Sequence, residues 1–143
     1  MKACSILVVD DEPGLRDMIQ QVLTAAGHSV MCAGDGQQAI KLMAEHRFDV
    51  VVTDVIMPER DGIEVIGELR RKRPQVRIVA MSGGGHVPVE QYLKIAKGVG
   101  AHAVLEKPFT NRALLDTIEK LMPDPLAPKT PQSPNSTQTG VGT

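Results

Sequence analysis

Short apolar runs alternate with helical patterns along most of the chain. The run SILVVD at 5–10 is continuously apolar between its first and last residues, which is typical of a β-strand covered on both faces. Between residues 15 and 23 the apolar positions recur at intervals of three and four, and this spacing predicts an amphipathic helix. Pro13 suits the first turn of that helix and Gly27 suits its C-terminal end.

The same alternation continues through the following segments. Asp35 and Gln38 have the spacing of a capping box, and Thr110 has the side chain of a helix N-cap. The further predicted strands lie at 28–33, 48–54, 76–82 and 101–108, and the further predicted helices follow Asp35, include 63–69, span 89–98 and follow Thr110.

Five consecutive β-α units predict an α/β fold with a five-stranded parallel sheet and helices on both faces. We interpret 1–122 as this folded domain. The segment 123–143 is rich in Pro, Ser and Thr and poor in large apolar residues, so we predict a disordered tail. A doubly wound sheet binds ligands outside the carboxyl ends of its strands.

Composition removes several classes of function. Aromatic residues make up 2% of the 143 residues and the net charge is −1, which disfavours nucleic-acid binding by base stacking. The basic run RRKRP at 70–74 is interpreted as a solvated helix end. Cys4 and Cys32 form no C-x-x-C pair and are expected to be reduced, buried thiols. With no signal peptide and no apolar run of about 18 residues, we expect a soluble, cytoplasmic protein without membrane contact.

Polar residues collect where the predicted strands end. Asp10 and Asp11 follow the first strand, Asp54 ends the third, Ser82 ends the fourth and Lys107 lies near the end of the fifth. Parallel strands place these groups at one edge of the sheet, where three carboxylates repel unless cations lie among them. Oxygen ligands favour Mg²⁺ over zinc. A metal, a lysine, a hydroxyl and a carboxylate suit phosphoryl transfer, with Asp54 as the best nucleophile.

The motifs VVDDEP, VVTDVIMPERDG, MSG and KPF resemble those of the receiver domain of two-component response regulators, over about 5–122. The resemblance implies a flavodoxin-like (β/α)5 fold and a phosphoryl group accepted on Asp54. It also implies a Mg²⁺ site formed by Asp11, Asp54 and the backbone carbonyl of Ile56, with Asp10 acting through water.

The resemblance assigns further roles near this site. Lys107 looks like the residue that pairs with the phosphoryl group, Ser82 looks like the switch hydroxyl, and Pro108 matches a cis peptide. Receivers usually carry an aromatic residue three positions before the lysine, and this chain has Val104 there. An activation switch is therefore expected to run through Ser82 and the following glycine-rich loop rather than through an aromatic side chain.

The function implied is that of a single-domain response regulator. A sensor histidine kinase or histidine phosphotransfer protein would supply the phosphoryl group, and the chain would catalyse only its own phosphorylation and dephosphorylation. The output would be a protein contact at the face of the predicted helix 89–98, the fifth strand and the fifth helix, with no direct nucleic-acid binding. The alternative is a receiver fragment of a DNA-binding transcriptional regulator.

Two rival interpretations are weaker. GDGQQA at 34–39 fits a dinucleotide-binding fingerprint, but it follows the second strand, and a helix cap at Asp35 explains the same residues. Phosphatases with an aspartyl-phosphate resemble a D-x-D arrangement, whereas Asp54 is followed by Val55 and Ile56. A turnover enzyme acting on other substrates is therefore not expected.

Overall fold

The secondary structure follows the alternation in the sequence. The computed structural model describes residues 3–54, 62–82, 94, 97–98 and 100–122. Its elements are β1 (Ser5–Val9), α1 (Pro13–Ala25), β2 (Ser29–Ala33), α2 (Gly36–Glu45), β3 (Val50–Asp54), α3 (Gly62–Lys72), β4 (Arg77–Ser82), β5 (Ala103–Glu106) and α4 (Asn111–Leu121).

Some predicted segments lie outside the described residues. Of the predicted helix 89–98, residues 94, 97 and 98 are described, and all three are helical. The predicted tail at 123–143 and the glycine-rich loop after Ser82 lie outside the described part, so the predicted domain boundary stays a prediction. Within the described residues, no helix has the length and apolar character that a transmembrane segment needs.

The five strands form one parallel sheet in the order β2-β1-β3-β4-β5. The predicted five-stranded parallel fold is therefore confirmed. Val52 of β3 pairs with Val8 on one side and with Val79 on the other, so β3 lies at the centre of the sheet. This order brings the carboxyl end of β3 directly beside those of β1 and β4.

Both faces of the sheet are covered, because successive strand residues point to opposite sides. Complete burial of a Leu or Ile side chain contributes about 1.5–3 kcal/mol, so both helical layers stabilise the sheet. One layer packs α2 and α3 on Leu7, Val9, Val51 and Ile78 through Ala39, Met43, Val65, Ile66 and Leu69. The other packs α1 and α4 on Ile6, Val8, Val52 and Val79 through Ile19, Leu23, Leu114 and Ile118.

The helix ends use the residues that the sequence indicated. Gly27 has φ +100°, and its N–H donates to the Thr24 carbonyl at 3.0 Å, while the His28 N–H donates to the Leu23 carbonyl at 3.1 Å. This pair of bonds is a Schellman motif, for which glycine is favoured because a left-handed conformation is needed. The N-cap of α4 is Thr110, whose hydroxyl accepts from the Ala113 N–H at 3.0 Å.

The cap of α2 differs slightly from a standard capping box. Asp35 accepts from the Gln38 N–H at 2.8 Å, as predicted. The Gln38 side chain accepts from the Gly34 N–H at 2.9 Å, one residue before the cap. The residues 34–39 therefore satisfy the free donors of a helix start, which supports the cap interpretation over a dinucleotide fingerprint.

Two histidines bond to strand backbone at the amino edge of the sheet. The Cys4 N–H donates to His28 Nδ1 at 3.2 Å, and the Ile78 N–H donates to His102 Nδ1 at 3.0 Å. Burial lowers the pKa of both imidazoles, and for His102 the nearby Arg70 and Arg77 charges lower it further. Because each Nδ1 accepts a hydrogen bond, the folded state favours the neutral rings.

The two thiols lie in different environments. Cys4 is buried, and burial together with the Asp49 charge raises the pKa of its thiol to about 11. Cys32 is only partly buried, because β2 is an edge strand, and burial raises the pKa of that thiol too. Both are free cysteines. The prediction that both thiols are buried is confirmed for Cys4 and wrong for Cys32, while their reduced state stays a prediction.

We predict that His28 makes the fold less stable in mild acid. Its folded-state pKa lies below the unfolded value of 6.5, so the unfolded chain binds more protons as the pH falls through that value, and the free energy of unfolding decreases. His28→Asn keeps an acceptor but cannot titrate. Urea denaturation between about pH 7.5 and about pH 5.5 is expected to show a smaller loss of stability in this variant.

The control for this prediction is His46→Asn, since His46 is exposed. This control is expected to lose as much stability in acid as the unsubstituted protein. An equal acid dependence in the His28→Asn variant and the unsubstituted protein would contradict the prediction.

Candidate functional site

The carboxyl edge of the sheet brings together three of the predicted carboxylates. Asp10 and Asp11 directly follow β1, and Asp54 is the last residue of β3. One oxygen from each of these side chains lies within 4.8 Å of the other two. Asp10 is completely buried and Asp54 is nearly so, whereas Asp11 is exposed. The acidic cluster of Asp10, Asp11 and Asp54 therefore has a buried side and one carboxylate facing solvent.

Lys107 joins two members of the acidic cluster. Its Nζ donates to Asp10 Oδ2 at 2.9 Å and to Asp54 Oδ2 at 3.1 Å, and its side chain is 20% exposed. Burial lowers the pKa of this ammonium, but its hydrogen bond to Asp10 and the charge of Asp54 raise the pKa more, so the net pKa lies above the usual value. Lys107 is therefore charged at neutral pH.

Asp10 is fixed by several hydrogen bonds besides the one from Lys107. Its Oδ1 accepts from the Glu12 N–H at 2.9 Å, and its own N–H donates to the Ala33 carbonyl at 3.1 Å. Arg16 Nη1 donates to the Asp10 backbone carbonyl at 2.7 Å. Both carboxylate oxygens of Asp10 thus already accept hydrogen bonds, which holds this buried charge in one orientation.

Sequence reasoning missed Arg16. This half-buried side chain on the first turns of α1 holds the end of β1 and lies against Gly34, where an added Cβ would come within 3.2 Å of Arg16 Nη1. The sequence feature that could have identified Arg16 is its position four residues after Glu12, at the start of a helix whose apolar stripe begins at Leu15. That spacing places Arg16 near the acidic run but does not reveal its backbone partner.

The donor set of the acidic cluster fits a hard divalent cation. All the candidate ligand atoms are carboxylate oxygens, with no Cys or His among the described residues of the cluster. Mg²⁺ binds through one or two carboxylates and retains several water molecules, so an exposed Asp11 beside buried partners suits such an ion. Ile56, whose carbonyl the resemblance adds to the ligands, lies outside the described residues.

The remaining predicted residues lie along the same edge or behind it. Ser82 is the last residue of β4, one position after Met81, which pairs with Asp54. The Lys107–Pro108 peptide bond is cis. Val104 pairs with Ala80 and packs against the core layer below α2 and α3. The structure thus places a small aliphatic side chain at the position where the family carries an aromatic one.

An apolar groove lies next to the acidic cluster. Leu15 and Met18 of α1 form one wall, and Pro108 and Phe109 after β5 form the other. Lys107 also lines this groove, so it opens directly beside the cluster. We call it the α1 groove.

Comparisons with known proteins agree with this geometry. The model of the response regulator receiver domain family matches residues 6–119. The chemotaxis response regulator CheY4 of Vibrio cholerae is 31% identical with a TM-score of 0.74, covering 85% of this chain and 100% of that one. TrrA from Thermotoga maritima, solved with Mg²⁺-BeF, is 30% identical with a TM-score of 0.73 and the same two coverages.

Longer regulators match over the same region. The transcriptional regulator NtrC of Azospirillum brasilense is 32% identical over 122 residues, which are 85% of this chain and 25% of that protein. The regulatory protein DctD of Pseudomonas aeruginosa is 33% identical over 117 residues, 82% of this chain and 25% of its own. The chain therefore spans about a quarter of the length of these curated relatives.

We predict that Lys107→Met lowers the free energy of unfolding in the absence of divalent cations by about 1–3 kcal/mol, because buried Asp10 and Asp54 lose a charged donor. Urea denaturation at neutral pH measures the change. Lys120→Met removes an exposed lysine and is expected to change stability by less than about 0.5 kcal/mol. Equal stability of the two variants would contradict this account of the site.

Proposed function

Because the chain belongs to the response regulator receiver domain family, we propose that it accepts a phosphoryl group on Asp54 with the help of Mg²⁺. The observation that carries this proposal is the position of Lys107, bonded to both Asp10 and Asp54 beside the exposed carboxylate of Asp11. This arrangement combines a carboxylate acceptor, a fixed cation and oxygen ligands for a metal, which are the components that phosphoryl transfer needs.

In the proposed reaction, a carboxylate oxygen of Asp54 attacks the phosphorus of a phosphohistidine. The P–O bond to Asp54 forms as the P–N bond breaks, and the imidazole leaves with the bonding electron pair and takes up a proton. Lys107 is already charged and lies 3.1 Å from Asp54 Oδ2, so it offsets negative charge without reorganisation. Asp10 orients that ammonium by the second hydrogen bond, at 2.9 Å.

The metal would be held by Asp11 and Asp54 directly, by the backbone carbonyl of Ile56 and by Asp10 through water. When bound, Mg²⁺ neutralises charge on the phosphoryl oxygens. The fit rests on the all-oxygen donor set and on the solvent-facing Asp11.

We propose that the phosphodonor is a sensor histidine kinase or a histidine phosphotransfer protein. The family supports such a donor, and the α1 groove supplies an apolar surface immediately beside Lys107. An apolar face of a donor helix placed there would bring its histidine near Asp54. In this proposal the chain catalyses only its own phosphorylation and dephosphorylation, and it does so in the cytoplasm.

The proposed response to phosphorylation begins at Ser82, whose hydroxyl would bond the phosphoryl group from the end of β4. Val104 offers no aromatic ring to rotate, and it already packs against the core. We therefore propose that the conformational change passes from Ser82 into the predicted helix 89–98. It then alters a protein-binding face that includes β5 and α4, the helix that the sequence analysis predicted as the fifth. Only a few kcal/mol of differential interaction are needed to shift such a two-state equilibrium strongly.

We favour a single-domain regulator that signals through this protein contact. The full-length match to CheY4 supports this choice. The second candidate is the receiver of a larger DNA-binding regulator, which the quarter-length matches to NtrC and DctD favour. The two candidate functions differ only in what the phosphorylated domain acts on, since the acceptor chemistry is the same in both.

Intact-protein mass spectrometry after incubation with acetyl phosphate and Mg²⁺ tests the acceptor. We predict one phosphoryl group per chain, none on Asp54→Asn and none when EDTA removes the metal. Asp17→Asn is the matched control, because it removes an exposed carboxylate of α1 outside the acidic cluster, and it is expected to be phosphorylated normally. Absence of the adduct in the unsubstituted protein, or equal labelling of the Asp54→Asn variant, would overturn the proposal.

A further inference from the structure

A second groove lies between α2 and α3, toward the amino edge of the sheet and away from the acidic cluster. Two adjoining cavities form it, and both are lined by Met43, Leu69 and Arg73. Half-buried Ile40 extends the apolar floor along α2, and Phe48 and Val76 extend it under the sheet edge. We call this surface the α2/α3 groove.

Cations line one side of the α2/α3 groove. Lys72 and Arg73 follow one another at the end of α3, and Arg47 lies opposite, after α2. The lining also contains two acidic residues, Glu68, which pairs with Lys72 and Arg71, and Asp49, which accepts from the Ser5 N–H at 2.8 Å. Some of these charges have structural partners. Arg73 Nη2 donates to the Met43 backbone carbonyl at 3.1 Å and thereby provides a hydrogen bond for a carbonyl in the last turn of α2.

The other cations remain accessible to a ligand. Glu68 pairs with Lys72 at 3.0 Å and with Arg71 at 3.5 Å, but the two cationic side chains are 62% and 70% exposed. Arg47 is exposed, and it forms no ion pair with another described residue. Ion pairs whose cations are this exposed contribute little to stability, so an incoming carboxylate can compete with Glu68 for Lys72 and Arg71.

We propose that the α2/α3 groove binds an acidic amphipathic helix of a partner protein. The apolar floor fits the hydrophobic stripe of such a helix, and the cationic rim fits carboxylates on its flanks. This site is independent of the acceptor chemistry, because the groove and the acidic cluster lie toward opposite edges of the sheet.

Neither the segment 123–143 nor the exposed apolar surface of the described residues is complementary to this groove. Residues 123–143 contain one acidic residue, Asp124, and one basic residue, Lys129, so this segment lacks the charge that the rim favours. In the described part, the one exposed large apolar side chain is Met31, which lies on the edge strand β2 and not on a helix. A second copy therefore offers no exposed apolar helix face among its described residues. These observations favour a separate partner over the tail or a second copy.

Nuclear magnetic resonance of the ¹⁵N-labelled full chain tests the proposal. The probe is a synthetic amphipathic helix with a leucine stripe flanked by glutamates, and the matched probe carries lysines in place of the glutamates. We expect the glutamate peptide to shift amide resonances of the second half of α2 and the last turns of α3. The lysine peptide is expected to leave them unchanged.

Charge reversal provides the second part of the test. The double variant Arg47→Glu with Lys72→Glu is expected to weaken binding of the glutamate peptide by about tenfold or more, since attraction becomes repulsion at two rim positions. Gln21→Glu with Thr24→Glu adds negative charge at exposed positions of α1 outside both grooves and is expected to bind as the unsubstituted protein does.

Several results would overturn the proposal. These are no shifts with the glutamate peptide, shifts confined to other surfaces, or equal binding of the lysine peptide. Binding of phosphatidylserine vesicles or duplex DNA at this groove, without peptide binding, would assign it to a different class of ligand. Concentration-dependent self-association abolished by the Arg47 and Lys72 reversals would assign it to a second copy.

Discussion

The structure depends on one buried contact, in which the Lys107 ammonium donates to Asp10 and Asp54. Asp10 has no solvent exposure, and a buried carboxylate is stable only with a charged or hydrogen-bonding partner. The two acids end neighbouring strands, whereas Lys107 follows β5, at the edge of the sheet. The contact therefore ties the residue after the edge strand β5 to the ends of β1 and β3, which pair with each other inside the sheet.

The existence and order of the elements could be predicted because the signals are local. Apolar periodicity, Pro13, Gly27 and the cap at Asp35 act within one or two turns, and the structure confirms each of them. Element ends were less predictable, since tertiary contacts decide them. The strand predicted at 101–108 is confined to Ala103–Glu106. Just before it, the Ile78 N–H donates to the side chain of His102.

The candidate site was largely predictable from a topological rule, because parallel strands deliver their final residues to one edge. That rule is enough to bring Asp10, Asp54 and Lys107 together. It could not reveal the bond from Arg16 to the Asp10 carbonyl, which depends on how α1 packs over the end of β1. Nor could it show that the basic residues ending α3 border an apolar groove, since part of the groove's floor comes from Ile40 and Met43 of α2.

We propose that the acidic cluster binds a divalent cation beside the acceptor Asp54. Calorimetric titration of Mg²⁺ into the full chain at neutral pH tests it most directly. We predict one Mg²⁺ per chain, with affinity reduced about tenfold or more by Asp11→Asn and unchanged by Asp17→Asn. No binding, or equal affinity in the Asp11→Asn variant and the unsubstituted protein, would contradict the account.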